Sequence, residues 1–205
     1  MEIETRSTRK PKLMIVIAST RPGRVGGVVA DWFERRAREE GDFDLEVVDL
    51  AALNLPFMDE PKHPRFRQYI HEHTRAWSRM VEAADAFVFV MPEYNYGFNA
   101  PIKNAIDYLH HEWQYKPVGF VSYGGISAGT RAVQMLKQVV TTLKMYPVVE
   151  AVQIPFVQQL IKDGRFEPNE ILEQAADAML AELYKLTEAL TPLRQEAAER
   201  APAGA

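Results

Sequence analysis

Apolar residues along this chain follow two alternating patterns. Short continuous runs, Leu13 to Ala18 and Ala86 to Met91, leave no polar position on either face. A strand covered by helices on both sides has that character. Val118 to Ser122 and Val148 to Ile154 read as further strands, and Leu45 to Leu50 as a weaker one. Between the runs, apolar residues recur at helical spacing. The first such set is Val25, Val28, Val29, Trp32, Phe33 and Ala37, and the second Phe66, Ile70, Trp77, Met80, Val81 and Ala84. Ile102, Ala105, Ile106 and Leu109 follow, with Pro101 suited to a helix's first turn. Ala132, Val133, Leu136, Val139, Val140 and Leu143 make a fourth set, and Ile171 to about Leu190 a last amphipathic stretch.

Strands alternating with helices in this way predict an α/β protein. The expected form is a three-layer, doubly wound, five-stranded parallel sheet in the order 2-1-3-4-5. The 205 residues suit one domain over residues 12–190. Residues 1–11 and 191–205 are expected to be flexible termini, the second being rich in Pro, Ala and charge. Residues 51–65 form a long connection holding Pro56, Pro61 and Pro64. Such sheets bind ligands at the carboxyl ends of their strands, where the strand order reverses. The loops after strands 1, 3 and 4 meet there.

Composition narrows the chemistry. Twenty-four basic and 28 acidic residues give a net charge of -4, so no excess of positive charge points to nucleic acid. Zero cysteines remove disulfides, thiolate nucleophiles and Cys-based metal sites. No apolar run approaches the roughly 20 residues of a membrane helix. Met1 to Lys12 is polar and does not read as a secretory signal, so a cytoplasmic location is the default expectation.

The first loop, Ser19 to Gly27, offers helix-start N–H groups, two hydroxyls and two guanidinium groups. It reads equally as a phosphate cradle or as a solvated turn. It lacks the Lys-Ser/Thr ending of a nucleoside triphosphatase loop, and no G-x-G-x-x-G occurs anywhere. The second loop, Pro92 to Pro101, places Tyr94, Tyr96 and Phe98 where a flat ligand can rest or where aromatics simply pack. The third, Ser122 to Arg131, is rich in glycine, which allows close backbone approach. It contains Gly125-Ile126-Ser127-Ala128-Gly129, a formal hydrolase elbow. All five histidines precede Ser127, however, so none stands downstream as the base. His71 and His73, two apart on an expected helix, should face different ways, and the histidines show no metal-ligand spacing.

Met91-Pro92-Glu93-Tyr94-Asn95, followed by Lys103-Asn104-Ala105-Ile106-Asp107-Tyr108, resembles the signature of the NAD(P)H-dependent FMN reductase family. That flavodoxin-like family includes quinone, chromate and azo-compound reductases. The resemblance extends over about Lys12 to Val157 and takes in all three loops. It implies a noncovalent FMN, with NAD(P)H as co-substrate. The phosphate would lie on Ser19, Arg21, Arg24 and the N–H groups of Val25 and Gly26. The ring would run along Pro92, Glu93, Tyr94, Asn95 and Tyr96, closed on its other side by Ser122, Tyr123, Gly124 and Gly125. The flavin itself carries the chemistry, so no catalytic side chain and no metal are expected. A ping-pong cycle delivering electrons to a quinone, flavin, azo compound or metal oxyanion follows from the resemblance, as does a homodimer or homotetramer. A flavin-binding electron carrier or redox sensor is the alternative; the modest charge and glycine-rich third loop favour the enzyme. Many members have Ser where this chain has Gly97 or Arg24, Pro at Asn99 and Gly at Ala100. Phe57 and Met58 either reach a neighbouring subunit's site or, for Phe57, cap the core.

Overall fold

A computed structural model describes residues 9–199. Strand β1 (Lys12–Ile17) lies between β2 (Asp44–Asp49) and β3 (Ala86–Tyr94), and β5 (Pro117–Tyr123) pairs with the far side of β3, all in parallel. A two-residue β4 (Gly97–Phe98) folds back antiparallel on the end of β3. The fifth position of the sheet is shared. β6 (Tyr146–Pro147) pairs with the start of β5 and β7 (Val152–Ile154) with its end. The order is therefore the expected 2-1-3-4-5, with one strand broken in two. Pro147 supplies no N–H to continue the ladder, and Val149 stands almost fully exposed in the gap.

Alternation along the buried strands divides the core into two layers. Leu13, Ile15, Ile17, Val88, Val90, Val121 and Ile154 face α1 (Gly26–Glu40) and α6 (Glu170–Glu199). Met14, Val16, Phe87, Phe89, Met91 and Phe120 face α3 (Glu72–Ala83), α4 (Ala100–Asp107) and α5 (Thr130–Thr142). A one-turn α2 (Leu50–Leu53) follows β2, capped by the Asp49 carboxylate. A small hairpin of β8 (Ile161–Lys162) and β9 (Arg165–Phe166) precedes α6.

Two expectations change here. Helix α3 begins at Glu72, not near Phe66; Phe66 and Ile70 are exposed although they stand at helical spacing. The residues before α3 are held instead by Glu60, whose carboxylate accepts the N–H groups of Ile70 and His71 at 2.9 and 3.1 Å. Helix α6 also runs past its expected end near Leu190. Residues 191–199 continue α6 through Pro192. Arg194 then donates to Asp85 Oδ1 at 2.7 Å, while Arg9 and the Lys12 N–H hold Asp85 Oδ2 at 2.8 Å. The outer parts of the expected flexible termini lie outside the described residues.

Candidate active site

The loops after β1, β3 and β5 converge at the carboxyl edge of the sheet around a cleft of about 360 Å³. Of the residues expected there, Arg21, Arg24, Val25, Pro92, Glu93, Tyr94, Tyr123, Gly124 and Gly125 line it. Ser19, Gly26, Asn95, Tyr96 and Ser122 do not, and each has another task.

Ser19 is fully buried, and its Oγ meets the Tyr123 hydroxyl at 3.0 Å. Burial pushes the Tyr123 phenol up to about 12, so it stays protonated at neutral pH. Gly26 opens α1 directly behind this pair. A Cβ there would sit 2.5 Å from Ser19 Oγ and 2.8 Å from the Tyr123 hydroxyl. Helix α1 has no side-chain cap at Val25. Its first-turn N–H groups are therefore free for water or an anion.

The two arginines of this loop part company. Arg24 donates to the Ser19 carbonyl at 2.6 Å and grips both oxygens of Asp49 at 2.5 Å. The Arg24 hydrogen bonds hold the Asp49 carboxyl below its usual range, and Asp49 in turn raises Arg24. Arg24 thus borders the cleft with its charge already matched. Arg21 meets no carboxylate among the described residues and is the unmatched cation at this end. Replacing Arg21 with alanine should weaken FMN binding by about tenfold to a hundredfold, the scale of a charged hydrogen bond. Riboflavin, which lacks the phosphate, should bind the variant as it binds the native protein. Calorimetry of the apoprotein with both ligands checks this, and an unchanged FMN affinity would take Arg21 out of the phosphate site.

Glu93 braces the second loop against the third. Its side chain is 5% exposed. It accepts from Ser127 Oγ at 2.9 Å, from Arg131 Nε at 2.6 Å and from the Arg131 N–H at 3.2 Å, which caps α5. Burial pushes this carboxyl up, but the Arg131 and Ser127 hydrogen bonds outweigh it and leave it below its ordinary value. The Arg131 guanidinium also lies 3.6 Å over the Tyr96 ring. This stack steadies a tight turn in which Asn95 and Tyr96 both take positive φ, 48° and 70°. Ser122 Oγ donates to the Ala128 carbonyl at 2.8 Å and closes the third loop on itself. Ser127 therefore meets a carboxylate directly, with no imidazole between, and the elbow reading has no base.

The Lys103 to Tyr108 motif acts at a distance from the cleft. Asn104 Nδ2 donates to the Pro56 carbonyl at 2.7 Å and its Oδ1 accepts the Met58 N–H at 3.0 Å. The Tyr108 hydroxyl reaches Asp59 at 3.0 Å. Lys103 pairs with Asp107 one turn along. These groups pin residues 56–59 so that Phe57 is 85% exposed, which excludes its capping the core. His71, being just outside α3, does not face away from His73. Their rings stack at 5.1 Å, and both Nε2 atoms turn to Asp59. Among the described residues no group of three or more His, Asp or Glu side chains forms a metal site.

One wall was not legible beforehand. Phe156, Val157, Gln158 and Gln159, after β7, complete the cleft. They carry no motif and reach it only because β7 lies beside β5.

An uncapped helix start and an unmatched arginine suit a phosphate ester. Two tyrosines and an exposed glycine backbone suit a flat ring. The residues present fit FMN. This cleft on this fold defines the class of flavodoxin-like flavin proteins. The comparison with known proteins is specific within that class. A family model described as NADPH-dependent FMN reductase matches residues 11–159. An NAD(P)H-dependent FMN reductase of Schizosaccharomyces pombe is 42% identical over 149 residues, covering 71% of this chain and 74% of its own. One from Saccharomyces cerevisiae is 32% identical over 185 residues, covering 82% and 96%. Among solved structures, the flavoenzyme NAD(P)H:(acceptor) oxidoreductase of Paracoccus denitrificans shares the fold with a TM-score of 0.69 at 18% identity, over 87% of this chain and 98% of its own. The chain belongs to the NADPH-dependent FMN reductase family. It is an oxidoreductase that uses FMN with NAD(P)H, which sets aside the carrier and sensor alternatives.

Proposed function

We propose that this enzyme reduces a quinone, free flavin, azo compound or metal oxyanion at the expense of NAD(P)H, acting as a cytoplasmic homo-oligomer. When bound, FMN would supply the redox chemistry between NAD(P)H and the second substrate, in a ping-pong cycle on this reading. The observation that carries this reading is the cleft itself. In this reading Arg21 and the α1 start would hold the phosphate, and Pro92 to Tyr94 with Tyr123 to Gly125, which line the cleft, would hold the ring. Among the described residues lining the cleft, the one carboxylate, Glu93, is engaged by Ser127 and Arg131. Tyr94, Tyr96, Ile126 and Phe156 are exposed at this edge and suit flat substrates. Relatives named as a quinone oxidoreductase and an azoreductase support the acceptor class.

The test is the visible spectrum of the purified, FMN-loaded protein under anaerobic NADPH or NADH. Rapid bleaching, reversed by a quinone or azo dye after the nucleotide is removed, is the expected result. A band that stays oxidised with both nucleotides would overturn the proposal.

The oligomer reading is supported by a second hollow near this edge. A groove of about 540 Å³ is lined by Leu50, Leu55, Pro56, Phe57 and Pro101, beside the protruding Phe57 ring. Phe57→Ser should lower the mass measured by light scattering while FMN binding persists. An unchanged mass would remove this surface from the interface. Among the described residues no helix is long and apolar enough to cross a membrane.

A further inference from the structure

The turn after β7 is fastened by its backbone so that its last residues border the cleft. The N–H groups of Phe156 and Val157 donate to the carbonyls of Gly125 and Gly124 at 3.1 and 3.3 Å. The Val157 side chain is buried in the core layer shared with α1 and α6. Phe156 is held at φ 47°, ψ 45°, a left-handed conformation unfavourable for any residue with a Cβ. The next two residues, Gln158 and Gln159, border the same cleft as Arg21. Their amides pair with no protein group among the described residues. Because the turn packs on the α1 side of the sheet, these amides belong to the same end of the cleft as the uncapped helix start. Each is neutral and offers both donors and an acceptor. That chemistry suits the hydroxyls and phosphate oxygens of a sugar-phosphate arm.

We propose that Gln158 and Gln159 are positioning residues for the ribityl phosphate arm of FMN and form a fourth wall of the site. This rests on the FMN site described above. The third loop and the turn then act as one unit, since Gly124 and Gly125 both border the cleft and carry the turn's hydrogen bonds.

The experiment compares FMN with lumiflavin, which has the ring but no arm, by flavin fluorescence titration of full-length apoprotein. The double variant Q158A/Q159A should raise the Kd for FMN about tenfold, the effect of losing neutral hydrogen bonds. It should leave lumiflavin unchanged, and the melting temperature of the apoprotein should not move. The variant Q158E/Q159E should weaken FMN further, and added salt should erase that extra loss by screening the new charges. Equal losses for FMN and lumiflavin would overturn the proposal, since the turn would then shape the cleft only in general. Unchanged FMN affinity, while Arg21→Ala loses it, would also overturn the proposal and leave the phosphate site standing. Failure of the native protein to bind FMN would overturn both together.

Discussion

Replacing Gly26 with valine should abolish measurable FMN binding and destabilise the apoprotein by about 1–3 kcal/mol, the usual cost of overpacking a filled interior. The position has no room. Its added Cβ would meet Ser19 Oγ at 2.5 Å, the Tyr123 hydroxyl at 2.8 Å and Ile17 Cγ2 at 3.2 Å. None of these can retreat easily, because Ser19 and Tyr123 bond to each other in the core and Ile17 ends β1. The helix start must therefore move outward, taking with it Val25, which borders the cleft, and the uncapped N–H groups of the first turn. Gly26→Ala should fall between the native protein and the valine variant. Thermal melting and a flavin titration measure the two effects separately. A valine variant with native FMN affinity would mean that the α1 start does not touch the ligand.

The second large effect is expected far from the cleft. The Glu112 carboxylate is completely buried beneath the 60–70 segment. It accepts from Ser78 Oγ at 2.7 Å, the Tyr69 hydroxyl at 2.9 Å, Arg67 Nε at 3.4 Å and the His110 N–H at 3.2 Å. Glu112→Ala should cost about 3–5 kcal/mol, because it strands a cation and several donors that were satisfied together. Glu112→Gln keeps the shape and isolates the charge. Burial alone would raise this carboxyl, but the Ser78 bond, the local N–H and Arg67 outweigh it and the net shift is downward. A folded value below the ordinary 4.5 means that the native state binds its proton less readily than the unfolded chain. The contribution is complete above the unfolded value and is lost as pH falls through the folded one. The stability gap between the native protein and Glu112→Gln should accordingly shrink below about pH 4.5. Urea denaturation at pH 7 and in that acid range measures the gap; one independent of pH would show that the charge contributes nothing.

The parts of the fold legible in the sequence are those in which one physical demand dominates. Strands β1, β3 and β5 are covered on both faces, so their central positions are apolar and the run is unmistakable. The α1 stripe faces one layer and keeps its period. Phe66 and Ile70 deceive because they continue that period before α3, whereas Glu60, ten residues from Ile70, sets where the helix begins. The same limit applies to the site. A loop that follows a buried strand and opens a helix can be placed at the sheet's edge from its neighbours alone. The partner of a given arginine cannot. Arg24 meets Asp49 across 25 residues, so only the folded chain distinguishes it from Arg21. The turn from Phe156 to Gln159 has ordinary composition and enters the cleft through the hydrogen bonds of its backbone.

The broken fifth strand also bears on how copies of this protein can meet. A parallel sheet with two open borders invites another chain to add a strand. One border here is interrupted at Pro147 and resumes only at Val152. The other, β2, carries the charged side chains of Asp44, Glu46 and Asp49, which an added strand would have to accommodate. Neither border is a good template for continuous sheet growth. Any pairing of copies would then run through helices and loops rather than through a shared sheet.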